Sequence, residues 1–189
     1  EQVQPFDFSA AAGGQRRDVA YEALEGHTSG VRAVRFSDNG KLLLSAGHDN
    51  TVRVWDAATR RLLKTLRGHA GRVPTCAFAP DGAHVLSGSH DHLAKIWSIA
   101  GYEEVRVFQG RLLSGHRDAV LGAAFSPDGR LLISASRDRT ARLWEITTGR
   151  EVRQFQEGHE FLVTRAAFVD DGKKLVTAAV DNTARIWDV

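Results

Sequence analysis

The chain repeats itself four times, and two markers keep step through the repeats. Gly-His pairs stand at Gly26-His27, Gly68-His69, Gly115-His116 and Gly158-His159. Tryptophan followed by an acidic or polar residue stands at Trp55-Asp56, Trp97-Ser98, Trp144-Glu145 and Trp187-Asp188. Both series advance by 42, 47 and 43 residues. A period of that length confines the chain to folds that copy and stack one small supersecondary unit, because a single unit cannot bury its own apolar face.

Within each period the texture is β. Behind each Gly-His runs an alternating segment (VRAVRF, VPTCAF, VLGAAF, VTRAAF), then a turn cluster (SDNG, APDG, SPDG, VDDG). Asn-Gly and Asp-Gly tolerate positive φ and favour tight hairpins. A second strand follows (LLLSA, HVLSG, LLISA, KLVTA), then a turn holding Asp49, Asp91, Asp138 or Asp181, and then a third strand with the tryptophan. A fourth strand such as RRLLKTL or REVRQF leads to the next Gly-His. No window shows a 3.6-residue period, so a helical repeat finds no support.

Four short antiparallel strands per period, bracketed by Gly-His and Trp-Asp, describe a β-propeller blade. On these motifs the sequence resembles the WD-repeat family over about residues 18–189. The resemblance implies an all-β propeller of WD-repeat type with four blades per chain, the repeats running at about 25–67, 68–114, 115–157 and 158–189. Asp18–Leu24, DVAYEAL, fills the slot of a fourth strand with no complete blade before it, while the last repeat stops after its third strand. In the family such an offset lets the chain ends share a blade, which removes an open sheet edge. Residues 1–17, EQVQPFDFSAAAGGQRR, do not follow the repeat and read as a flexible leader or linker. Alternatively, VQPFDF is a degenerate third strand, since Phe8 precedes Gly26 by the offset of Trp97 from Gly115.

Four blades would each have to fill a quarter circle, whereas the family's blades resemble the narrower wedge of a seven- or eight-bladed ring. Two closures stay open. Two identical chains close an eight-bladed ring as an isologous C2 dimer, each lending Asp18–Leu24 to the other's last blade. Otherwise the chain is part of a longer propeller, a reading favoured by the absence of any methionine.

Taken alone, His27, Ser45 and Asp49 invite a nucleophile, base and acid reading. Recurrence speaks against it, since an enzyme needs one such set in one cleft. The resemblance implies instead a hydrogen-bonded strut in each blade, running tryptophan to hydroxyl to imidazole to carboxylate. The sets are Trp55-Ser45-His27-Asp49, Trp97-Ser87-His69-Asp91, Trp144-Ser134-His116-Asp138 and Trp187-Thr177-His159-Asp181. Buried indole and imidazole groups need such partners. With no Cys-x-x-Cys, His-x-x-x-His or phosphate-binding glycine loop, neither metal nor cofactor is expected. Arg53, Lys95, Arg142 and Arg185, each two residues before a tryptophan, are expected to pack their stems between blades with the charge reaching solvent. Cys76, the sole cysteine, reads as a core residue and fits a reducing, cytoplasmic setting.

The expected function is a non-catalytic protein–protein interaction scaffold. The alternative is a regulatory or sensor portion of a larger multidomain enzyme. In propellers of the family, partners dock on loops around the channel mouth. The matching positions here are Gly30, Arg32 and His48; Arg72, Pro74 and His90; Ala119, Leu121 and Arg137; and Leu162, Thr164 and Val180. Three arginines and two histidines beside apolar Leu162 and Val180 suit an acidic peptide with apolar anchors. Against this, arginine is simply the preferred basic residue of the chain, at 20 Arg to 5 Lys. Basic and acidic residues nearly balance at 25 to 23 without clustered lysines, so nucleic acid is not the expected partner. No apolar run approaches the roughly 18 residues of a membrane helix. The second repeat is longer around its fourth strand, where Tyr102, Phe108 and Leu112 form a candidate side contact outside the repeat.

Overall fold

The computed structural model describes residues 23–108, 115–156 and 158–189. These form four antiparallel sheets in which the strands follow chain order. The first holds β1 (Val31–Phe36), β2 (Leu42–Gly47), β3 (Val52–Asp56) and β4 (Leu62–Leu66). The second holds β5 (Thr75–Phe78), β6 (His84–Gly88), β7 (Ala94–Ser98) and β8 (Glu104–Phe108). The third holds β9 (Val120–Phe125), β10 (Leu131–Ser136), β11 (Ala141–Glu145) and β12 (Glu151–Phe155). The fourth holds β13 (Val163–Val169), β14 (Lys174–Ala179) and β15 (Ala184–Asp188). Positive φ at Gly40, Gly82 and Gly129 turns the first hairpin of three sheets, as the Asn-Gly and Asp-Gly pairs require. The chain is all-β, and its sheets have the layout of propeller blades.

The two faces of each sheet differ. With side chains alternating along a strand, Leu43, Ser45 and Trp55 share one face of the first sheet, and Leu44 and Val54 share the other. Every tryptophan after the first packs on the second kind of face of the preceding sheet. Trp97 joins Leu44, Val52, Val54 and Leu66. Trp144 joins Leu86, Ile96 and Phe108. Trp187 lies against Leu143 and Phe155. Two seams add aromatic contacts, with ring centroids 6.0 Å apart for Phe108 and Trp144 and 5.5 Å for Phe155 and Trp187. The opening strands pack in series, β1 beside β5, β5 beside β9 and β9 beside β13, so they gather at a hub.

The outer faces of the first and last sheets expose what the seams bury. Ile186 occupies the repeat position of Val54, Ile96 and Leu143, which are 0–3% exposed, yet it is 69% exposed. Val34 is 47% exposed where Cys76 is 1%, and Phe36 beside it is 62% exposed.

Two sequence-based expectations need correction. Phe108 is no free side contact. It stands eleven residues after its tryptophan, as Leu66 and Phe155 do, and it is buried under Trp144. Nor do the charges of Arg53, Lys95 and Arg142 reach solvent. All three residues are buried, because carboxylates within the blade neutralise them. Residues 1–22, including most of the proposed closing strand Asp18–Leu24, and Leu112 lie outside the described residues.

Candidate functional site

Each sheet contains one relay of side chains. Trp55 Nε1 donates to Ser45 Oγ at 2.8 Å, His27 Nε2 lies 2.7 Å from the same oxygen, and His27 Nδ1 lies 2.8 Å from Asp49 Oδ2. The second set matches, with 2.8 Å for Trp97 to Ser87, His69 to Ser87 and His69 to Asp91. In the third, Trp144 and His116 meet Ser134 at 2.8 and 2.7 Å, and His116 meets Asp138 at 2.9 Å. In the fourth, Trp187 and His159 meet Thr177 at 2.9 and 2.7 Å, and His159 meets Asp181 at 2.7 Å. A carboxylate only accepts, so Nδ1 carries the donated proton, and a neutral ring then accepts the hydroxyl proton at Nε2. Ser45 is 5% exposed and Ser87, Ser134 and Thr177 are fully buried, so no substrate carbonyl can approach these oxygens.

The carboxylates collect further donors. Each accepts the backbone N–H of the residue after the histidine, from Thr28, Ala70, Arg117 and Glu160. Burial by itself would raise the Asp49 pKa. Hydrogen bonds from Thr51, His27 and Thr28 outweigh that and hold it at about 2, against an ordinary 3.8. Asp91 sits at about 2 by the same balance, with His69 as its chief donor. Asp138 is lowered further still against burial, chiefly by His116, and Asp181 is lowered first by the Thr183 hydroxyl. Burial lowers the His116 pKa despite the facing Asp138, so its ring is held neutral. A basic side chain completes each set. Arg53 and Arg142 lie 3.8 and 4.0 Å from Asp49 and Asp138, Lys95 pairs with Glu104 at 2.5 Å, and Arg185 donates to the Gly158 carbonyl at 2.6 Å. A Cβ on Gly158 would sit 2.2 Å from Arg185 Nη1, which explains the glycine of the Gly-His pair.

The end of the blades formed by the loops after Gly-His and the turns between second and third strands carries a different surface. The two loops of each blade are tied by a backbone bond. His48 N–H donates to Gly30, His90 to Arg72, Arg137 to Ala119 and Val180 to Leu162, at 2.8–3.0 Å. The innermost strands begin with a β-bulge. Val31 and Ala33 pair with Gly47 and Ala46, leaving Arg32 unpaired, and Leu121 and Thr164 are skipped likewise. A bulge re-aims its extra side chain. Pro74, which has no N–H to lose, holds the same repeat position. One depression of about 340 Å³ results, lined by Arg32, His48, Arg72, Pro74, His90, Leu121, Thr164 and Arg165. All four blades contribute.

Arg137, Leu162 and Val180 do not line it. Arg137 Nε lies 3.9 Å from the Asp118 carboxylate, and Val180 is exposed beside Phe161. Arg165 is not among the sequence-based candidates, because its repeat position holds Ala33, Thr75 and Gly122 elsewhere, a pattern of small residues. That one large charged residue in the column was the available signal. Gly122 admits the strand that carries it, since a Cβ there would meet the Thr164 carbonyl at 2.9 Å. Arg165 Nη1 donates to the carbonyls of Leu121 and Thr164 at 3.1 and 2.8 Å. Burial, then the charges of Arg72 and Arg137, lower the His90 pKa.

Comparison with known proteins agrees with this geometry. The family model "WD domain, G-beta repeat" matches residues 19–56, 60–98, 107–145 and 149–188. The chain is similar to Protein Mut11 of Chlamydomonas reinhardtii, 54% identical over 43 residues, which is 23% of this chain and 12% of that protein. It is also similar to the Ribosome biogenesis protein BOP1 homolog of Caenorhabditis elegans, 49% identical over 43 residues, 22% of this chain and 6% of that protein.

Ser134→Ala is expected to destabilise the fold by about 1–3 kcal/mol, because it leaves the Trp144 N–H and His116 Nε2 unpaired in the interior. Urea unfolding measures it, and Ser134→Thr, the hydroxyl residue of the fourth set, should restore most of the loss. Acid should also unfold the protein. Depressed carboxylates stabilise the fold above the unfolded value of 3.8 and stop doing so as pH falls through about 2 for Asp49 and Asp91. His116, neutral in the fold, adds a loss of the same sign below 6.5. Thermal melts should therefore decline gradually below pH 6.5 and most steeply between pH 4 and 2.

Proposed function

The chain belongs to the WD-repeat family, and we propose that it is a non-catalytic interaction module that takes an acidic peptide segment of a partner protein at its hub mouth. Repeats of the family generally mediate protein–protein contacts. The observation that carries the reading is the convergence of Arg32, Arg72 and Arg165, with His48 and His90, on one depression. Guanidinium forks match carboxylates in pairs, and a recess raises their effect by limiting competing water. Leu121 and Pro74 in the lining, with Phe161 and Val180 near the fourth blade, offer apolar anchors for the same peptide. A cytoplasmic setting belongs to the proposal, and Cys76, the sole cysteine of the sequence, leaves no intramolecular disulfide to form within it.

The proposal extends to closure of the ring. The outer face of the fourth sheet, with Ile186, is of the kind that receives an indole face, and the outer face of the first, with Val34 and Phe36, is of the kind that docks. Two copies joined fourth sheet to first close an eight-bladed C2 ring with Asp18–Leu24 as the shared strand. Further blades of a longer chain meet the same need. The matched segments span only 12% and 6% of the two relatives, which also keeps open a regulatory portion of a larger enzyme.

A labelled peptide of glutamates around one leucine tests the mouth. Arg32→Ala with Arg72→Ala should weaken its binding tenfold or more, by roughly 1.5–3 kcal/mol per lost charged hydrogen bond, and flatten its salt dependence. Arg72→Ala with Arg137→Ala should weaken it less. Unchanged affinity in both doubles removes the acidic-peptide reading. Light scattering at micromolar concentration tests closure. Twice 20.7 kDa, falling to the single mass in Ile186→Asp, supports the two-chain ring, and a sharp single mass for the wild type rules it out.

A further inference from the structure

The seams between blades differ at one repeat position. Five residues after the tryptophan, at the turn between third and fourth strands, stand Arg60, Tyr102 and Gly149, all with positive φ of 54–71°. Tyr102 reaches back into the seam between the first and second sheets, where it packs on the apolar cluster together with Leu42, Phe78 and Ile99. Lys64 Nζ lies 5.9 Å from its ring centroid. The corresponding place between the second and third sheets is left unfilled by Gly149, and a groove of about 550 Å³ opens there. Its apolar wall is Ile96, Val105, Phe125 and Ile146, and its polar edge includes Asp81, His84 and Asp128.

Arg106 completes the correspondence. It stands nine residues after Trp97, as Lys64 does after Trp55 and Arg153 after Trp144. Lys64 lies over Tyr102, and Arg153 donates to the Asp188 carbonyl at 2.8 Å with its guanidinium 4.9 Å from the Phe155 centroid. Among the described residues, the Arg106 side chain makes no hydrogen bond or ion pair, while its backbone pairs with Ile96 in the sheet. Its Nη1 lies 3.2 Å from where a Cβ on Gly149 would sit. Arg106 thus stands at the groove in the repeat position from which Lys64 lies over the Tyr102 ring in the neighbouring seam.

We infer that the groove between the second and third blades is a docking site for a tyrosine side chain on a partner peptide, seated as Tyr102 is seated in the neighbouring seam. Aromatic area covers Ile96, Phe125 and Ile146, Arg106 takes the place of Lys64 beside the ring, and the phenol hydroxyl meets the polar edge. The groove is built from turns at the opposite ends of the strands from the mouth, so it is independent of the acidic-peptide site.

The probe is N-acetyl-Gly-Tyr-Glu-Glu-amide, which copies Gly101–Glu104, titrated into the full chain while the methyl signals of Ile96, Val105 and Ile146 are followed by NMR. Saturable shifts are expected with an affinity on the order of a millimolar, as befits so small a ligand. Replacing the probe's tyrosine by alanine should abolish them and leave any shifts at the mouth. Gly149→Tyr plugs the groove from within at a φ that Tyr102 already tolerates, and should also abolish them. Arg106→Leu, which keeps the fold's apolar contacts, should weaken binding about two- to fivefold. Absence of shifts in the wild type, their persistence with the alanine probe or in folded Gly149→Tyr, or unchanged affinity in Arg106→Leu would each overturn the assignment.

Discussion

The structure depends on giving the buried indole N–H a partner. A propeller blade must place something large and apolar between sheets, and tryptophan fills that space at the cost of a polar atom carried inside. The hydroxyl at the adjacent strand position accepts from it, and the hydroxyl's own proton then needs an acceptor, which the imidazole supplies. The ring's second nitrogen needs a carboxylate, and the carboxylate needs amides. Each requirement creates the next, until the relay ends at the turn after Gly-His. In this way one packing choice ties the third strand to the second and both to the incoming loop. The loops that shape the mouth are therefore held by the same bonds that hold the core.

Much of this was legible in the sequence, for a definite reason. Spacing is exact enough between Gly-His and Trp that strand order and the members of each relay could be named residue by residue from the family resemblance. The mouth was legible too, in part, because Arg32, Pro74, Leu121 and Thr164 share a repeat position and the bulge sends them the same way. Arg165 was hidden because its column holds small residues in the other repeats, and a column average conceals an exception. Arg137, Leu162 and Val180 were placed at the right loops but point outside the recess.

The basic residues before each tryptophan show a different kind of blindness. A strand pattern places a lysine or arginine on a face but cannot say whether a carboxylate waits there. Glu104 and Glu151 stand on the neighbouring strand nine residues later, and with them the charges of Lys95 and Arg142 stay inside. Burial lifts the Glu151 pKa even beside Arg142, so the pair is held against a real desolvation cost. Phe108 is the opposite case, since the lengthened second repeat masks its ordinary place in the register eleven residues after Trp97.

The unlike faces of each sheet give the stack a direction. A tenon of indole enters a mortise of aliphatic side chains, and the same joint recurs in the same direction from one sheet to the next. Two tenons cannot join, nor two mortises, so no pair of equivalent surfaces can terminate the series. Head-to-tail joints of this kind close into a ring where the rotation between units allows it and otherwise leave both end faces open to a further partner. How many such joints a closed ring would hold follows from the wedge angle, set by how far each sheet turns from its predecessor.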